Sequence, residues 1–279
     1  MKEKILITVK TYPILSRKYA ELVCTAGVTE QGEWRRIYPV PFRHLYAGKK
    51  YKKYQWIEAD IEKSSSDNRP ESYTFRTIDS LQLIGKPLST QNNWQIRRDA
   101  FLNKVTIYKE KEQLIKLAHD NELSIAAFKP RRYLDFSFEP VNNREWDPDK
   151  LAELEYQKRQ LSLFEDQETV ARQLEVVHKL PFRFYYRFED SRGESSRLMI
   201  EDWEIGALFW NCLKGCDGDE KCALAKVKEK YWHQFVKSGN HDLTLILGTT
   251  LEYHNKKAPN PFVIVGIFYP PHRMQRALF

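Results

Sequence analysis

Long apolar runs are missing from this sequence. The longest, Phe262 to Tyr269, passes through Gly266 and stops at Pro270 and Pro271, too short for a membrane-spanning helix. The N-terminus, Met1-Lys2-Glu3-Lys4, leads only a brief apolar segment that Lys10 closes, so a signal peptide does not fit either. Cysteine is scarce, with four residues in 279, and Cys24 stands far from Cys212, Cys216 and Cys222. Four are too few for a disulfide scaffold of this size, which makes a reducing cytoplasm the simplest setting. The downstream three, followed by His233, lack the tight pair that a zinc site uses, and no metal ligand is assigned from them. A P-loop, a dinucleotide fingerprint, a nucleophile elbow and a His-Glu-x-x-His pair are all absent, so no cofactor is implied. No solenoid-length repeat or low-complexity tract occurs.

What is present is charge and aromatic surface. The chain has 45 Lys and Arg against 38 Asp and Glu, a net charge of +7, with 42% hydrophobic and 30% charged residues. That balance belongs to a compact fold rather than a disordered chain. Residues 1–60 hold 12 basic against 6 acidic residues, so the N-terminal region supplies most of the excess. A local positive field of this kind attracts nucleic acid, an acidic protein or anionic lipid. Aromatic residues make up 13% of the chain, including 15 Tyr and 7 Trp, enough rings for stacking as well as for a core.

The first third reads as short strands. Ile5 to Val9, Leu22 to Val28, Trp34 to Tyr38, Tyr54 to Ile61 and Glu71 to Ile78 are separated by turn signals, with Pro39 and Pro41 expected to stop the third, and together they suggest a small barrel. Helical spacing follows at Trp94 to Leu102 and Glu110 to His119, then strands at Ser124 to Phe128 and Tyr133 to Phe138. Asp147-Pro148 starts a helix that runs to about Gln160, with Asp as cap and Pro at the first helical position. Beyond an acidic stretch, Phe182 to Phe188 and Ser196 to Ile200 flank the hairpin signal Asp190-Ser191-Arg192-Gly193. Helices are expected at Asp202 to Leu213 and Glu220 to Val236, and strands at Leu243 to Leu247 and Phe262 to Phe268. The fold class is therefore α+β: an OB-like β-rich region with appended helices at 1–146, a helix and exposed arm at 147–178, and an α+β C-terminal domain at 179–279.

Gln160-Leu161-Ser162-Leu163-Phe164 resembles, at every position, the pentapeptide by which bacterial polymerases and mismatch-repair proteins dock on the DNA sliding clamp. In that arrangement Gln160 offers its amide to a polar subsite, Leu161 adds an apolar contact, Ser162 is small and tolerant, and Leu163 with Phe164 fills a hydrophobic pocket. The competing reading makes Leu161, Leu163 and Phe164 the buried end of the preceding helix. Those three positions do not share one narrow helical stripe, and acids follow them.

Cys24-Thr25-Ala26-Gly27, Gly32-Glu33-Trp34-Arg35-Arg36-Ile37-Tyr38-Pro39 and Asn68-Arg69-Pro70-Glu71-Ser72 resemble the spaced signals of the dual OB-containing domain of bacterial conflict-system proteins, over residues 1–90. The sequence departs from that pattern in its Lys10 to Tyr19 insertion and in its Arg-Pro-Glu-Ser string. The resemblance implies an OB-like barrel that binds nucleic acid with no chemistry of its own. The residues point the same way: Trp34, Arg35 and Arg36 on one strand, and Tyr51, Lys52, Lys53 and Tyr54 beside it, place cations next to rings, as single-strand binding requires. Alternation along strands turns about half of them into the core instead.

Three side chains are weak candidates for catalysis. Asp202 and Glu204, after a strand and at a helix start, either hold a divalent metal or act as N-cap and dipole partner. His254 is either a general base or a lone surface histidine. The reading that unites these parts is a cytoplasmic bacterial protein of DNA replication, repair or phage defence, which binds DNA, single strands included, and docks on the sliding clamp without contacting a membrane. It leans away from an enzyme. The alternatives are a Mg- or Mn-dependent nuclease or other DNA- or RNA-modifying enzyme, and an RNA-binding protein with no clamp partner.

Overall fold

The computed structural model describes residues 1–16, 20–161 and 177–272. Its N-terminal strands are β1 (Lys2–Lys10), β2 (Ile14–Ser16), β3 (Ala20–Thr29), β4 (Trp34–Val40), β5 (Trp56–Lys63), β6 (Ser72–Phe75) and β7 (Gln82–Ile84). They pair in the order β1-β3-β4-β6-β5, and β5 returns to β1, which closes a five-stranded OB-like barrel. β2 and β7 add to its margins. The second sheet contains β8 (Ile107–Tyr108), β9 (Ile125–Phe128), β10 (Arg132–Pro140), β11 (Phe182–Glu189), β12 (Ser195–Ile200), β13 (Thr244–Thr249) and β14 (Phe262–Phe268), in the order β10-β11-β12-β14-β13-β9-β8.

The strands of β1 show how the two units pack. Ile5 and Ile7 point into the barrel, while Leu6 and Val9 join a second apolar cluster with Ile246, Val263 and Val265 of the other sheet. The same alternation divides the second sheet. Leu245, Leu247 and Ile264 face the helices, and their neighbours face the barrel. Strands buried on both faces read as unbroken apolar runs, which explains the sequence of β13 and β14. The helices Trp203–Lys214 and Glu220–Lys228, the latter continued by the wider turns of Glu229–Lys237, cover the outer face through Phe209, Val227 and Trp232.

Several expectations change. β4 runs through Pro39 to Val40, because the register between β3 and β4 shifts between Val23 and Thr25 and spares the proline a ladder bond. Residues 107–140, grouped by sequence with the N-terminal region, supply β8, β9 and β10 to the second sheet, where Ala126 and Phe128 pack in the helix-covered core. Cys216 and Cys222 are joined by a disulfide, whereas Cys24 and Cys212 are free thiols. No helix among the described residues is long and apolar enough to cross a membrane.

Candidate functional site

A cavity of about 720 Å³ opens along the seam between barrel and second sheet. Its apolar walls are Val9 and Ala26 from the barrel and Ile125, Met199, Val263 and Val265 from the sheet. Polar groups gather at two ends of this slot, in the manner of a ligand pocket.

At one end lie Cys24, Arg36, Tyr38, Asp67, Arg69 and Thr249. Arg36 sits on β4 where it pairs with β6, and its guanidinium donates to Ser72 Oγ at 3.3 Å, Ser124 Oγ at 2.6 Å and the Ser124 carbonyl at 3.0 Å. Ser124 is held in turn by Glu71, which accepts from its backbone N–H at 3.0 Å and from its hydroxyl at 2.5 Å. Arg69 makes a two-point pair with Asp67, at 2.8 and 2.6 Å, and donates its other arm to the Thr249 carbonyl across the seam. The paired Arg69 holds the Asp67 carboxyl down at about 2 despite its partial burial. Burial, with Arg69 close by, lowers Arg36 to about 10, so it remains a cation at neutral pH. Burial also pushes the Cys24 thiol up, which opposes thiolate chemistry there.

At the other end lie Glu201, Arg183, Lys179 and Trp146. Tyr12 and Trp146 hold the nearby segment 177–179 in place: Tyr12 donates to the His178 carbonyl at 2.8 Å and the Trp146 indole to the Val177 carbonyl at 2.7 Å. The Glu201 carboxylate has no hydrogen-bond partner among the described residues, and burial raises its pKa against the pull of Arg183. A carboxyl raised in a cleft can give and take a proton closer to neutrality than a surface one.

Most of the residues expected to contact nucleic acid are placed elsewhere. Tyr51 and Tyr54 are inside, with Tyr51 sharing a 2.6 Å hydrogen bond with Thr25 and Tyr54 packed against Trp94 and Phe268. Arg36 is committed as above, and Arg35 forms a two-point pair with Glu3, at 2.6 and 3.0 Å, and a further bond to Glu33. Trp34 is half-buried with its ring against Phe101. Lys52 alone of the seven is exposed. The reason is the alternation of closed strands, which turned these rings and cations towards barrel interior or seam.

Lys53 is buried and bonds both Asp202, at 2.9 Å, and Glu204, at 3.0 Å. The two carboxylates hold the Lys53 ammonium charged, well above its usual range. Asp202 is also the N-cap of Trp203–Lys214, accepting from the Glu204 backbone N–H at 3.2 Å. A lysine thus occupies the space between the acids where a divalent ion would sit, and no group of three His, Cys, Asp or Glu side chains gathers as a metal site among the described residues. His254 is not a surface histidine: it is 4% exposed, in the short helix Leu251–Asn255, with Nε2 against Asn121 Oδ1 at 2.9 Å. Burial and the cations Arg69 and Arg36 lower its pKa, which suits a neutral ring.

Of the clamp peptide, Gln160 and Leu161 end the helix Pro148–Leu161, and Ser162, Leu163 and Phe164 lie outside the described residues. The cavity residues were largely missed in the sequence. Cys24 and Arg69 occur in the strings that carry the barrel resemblance, but Glu201, Arg183 and Thr249 have no local pattern, since they meet only through the pairing of distant strands.

No curated protein matches the chain. Residues 1–103 match the model of a domain of unknown function, DUF8758, which ends just before the second sheet begins. Residues 109–279, well over half of the chain, match the model of a second domain of unknown function, DUF8757, and the chain belongs to that family.

Proposed function

We propose that this chain is a cytoplasmic bacterial DNA-transaction protein, acting in replication, repair or genome defence, that binds DNA and docks on the sliding clamp. The observation that carries this reading is the full match of Gln160-Leu161-Ser162-Leu163-Phe164 to the clamp-docking pentapeptide. Its setting is favourable, because the helix that leads into it carries exposed Ala152, Glu153 and Tyr156 rather than a continuous apolar face. The OB-like barrel and its resemblance to conflict-system domains support the DNA-binding half. Tethering would link the two, since a ring already threaded on DNA raises the effective DNA concentration to about the millimolar range for a weak binder.

The experiment is a pull-down with purified bacterial sliding clamp. Micromolar binding is expected, lost when Leu163 and Phe164 are both replaced by Ala, because these side chains supply the apolar anchor. Equal binding by a folded double variant would sink the assignment. Unfolding of that variant would place the two side chains in a core instead.

One observation favours a second reading, a nucleic-acid-modifying enzyme: the seam cavity presents Glu201 with a raised pKa and no committed partner. A metal-dependent nuclease built on Asp202 and Glu204 would first have to displace Lys53 from between them.

A further inference from the structure

We infer that the seam cavity is a binding site for a nucleoside monophosphate unit, with its base in the apolar slot and its phosphate at the mouth. The inference draws on the nucleic-acid half of the reading above and is independent of clamp docking.

The slot lies between two sheet faces, with Val9 and Ala26 on one side and Met199, Val263 and Val265 on the other. Facing sheets with small aliphatic side chains leave a flat gap, and a planar ring fills such a gap better than a branched or globular group does. At the deep end Thr249 is 5% exposed, lines the cavity, and its hydroxyl has no hydrogen-bond partner. Buried hydroxyls are almost always paired, so an unpaired one on a cavity wall marks a place where a ligand's polar edge belongs. It is a donor and acceptor, as base edges require.

The mouth has the opposite character. Arg183 is exposed there, beside Lys179, whose ammonium lies 5.7 Å from the centre of the Trp146 ring. Two cations at a solvent-facing rim suit a phosphate, which stays hydrated while it is held. Glu201, unpaired on the same wall, is placed to accept from a sugar hydroxyl or a base amino group. Polar groups at both ends with an apolar middle separate this ligand from an acyl chain, which has one polar end and would leave the hydroxyl of Thr249 unsatisfied. The volume, about 720 Å³, falls within the range of small-molecule and cofactor pockets.

The unit can arrive free or as a nucleotide turned out of a single strand, and the test separates these sources. Full-length protein is titrated, without clamp, with the four deoxynucleoside 5′-monophosphates and with a single-stranded DNA oligonucleotide, reading tryptophan fluorescence and calorimetric heat. Saturable binding is expected for at least one probe. A monophosphate that binds identifies a free nucleotide; binding by the oligonucleotide alone identifies a nucleotide presented by a strand. Thr249→Val, which keeps the shape and removes the hydroxyl, should weaken binding about fivefold, the effect of one hydrogen bond. Ala26→Leu, which fills the slot, should abolish it, and Val263→Phe serves the same purpose should the first variant not fold. The inference is overturned by absence of binding to every probe, or by variants that fold and bind as the parent does. Oligonucleotide binding that is unchanged by Ala26→Leu and Thr249→Val would leave the nucleic-acid reading standing and remove the cavity from it.

Discussion

Replacing Lys53 by Met should be among the most destabilising single changes in this protein. Lys53 leaves the barrel just before β5 and reaches Asp202 at the start of the first covering helix, 149 positions away, with side chains 6% and 1% exposed. Removing the ammonium would strand the Asp202 carboxylate in a site that water does not reach, whereas Glu204, 44% exposed, can turn to solvent. Breaking one partner of such a buried pair costs about 3–5 kcal/mol. Against a typical total of roughly 5–15 kcal/mol, that is enough to unfold a marginal protein. Adding Asp202→Asn should recover about half the loss, because Asn keeps the cap on the Glu204 N–H and removes the stranded charge. Asp202→Asn alone should also be costly, since Lys53 then retains only the half-exposed Glu204. The assay is urea denaturation of the parent, both single variants and the double, analysed as a cycle. A loss below about 1 kcal/mol for Lys53→Met, or no recovery in the double variant, would refute the claim that this pair ties the two units together.

Further outcomes follow from particular side chains. His254 has a lowered pKa in the folded chain, so the unfolded chain takes up a proton first as pH falls below about 6.5. Stability should therefore decline from pH 7 to 5, and His254→Gln should flatten that decline in denaturant melts at the two pH values; an unchanged slope would count against a buried neutral ring. Gly27→Ala should lower stability by about 1–3 kcal/mol, because a Cβ there overlaps the Leu6 carbonyl where β1 and β3 cross closely; an unshifted melting curve would refute this. If DNA binding uses the basic N-terminal face, Lys52→Ala should reduce the slope of log affinity against log salt by about 0.7–0.9, while Arg36→Ala should act through unfolding rather than through that slope.

The local text of the chain was enough to place most elements. Alternation in Phe182 to Phe188 marked β11, which spans Phe182–Glu189, and Asp147-Pro148 marked the helix Pro148–Leu161, whose first turn Asp147 caps through the Asp149 N–H at 3.0 Å. The short strands with their turn signals announced a small barrel, and one is there. These features depend on neighbours a few positions apart, which a sequence displays directly. β2, β7 and β8 were missed because two or three residues of an edge strand carry too little period to read.

Which face each residue occupies was a different matter. Trp34, Arg36, Tyr51, Lys53 and Tyr54 had the composition of a stacking surface, yet their directions depended on barrel closure and on the second sheet packing against it. Once β5 returned to β1 and Ser124 came to lie over β4, the cations had partners up to 149 positions away and the rings had apolar neighbours. The seam cavity belongs to the same class. Cys24, Arg69, Glu201 and Thr249 carry no shared spacing in the chain and meet only because two sheets pack face to face. Periodicity along the sequence determined the elements and their apolar sides, while the long-range pairing of those sides decided which charges became buried ties and where an unfilled polar-ended slot was left.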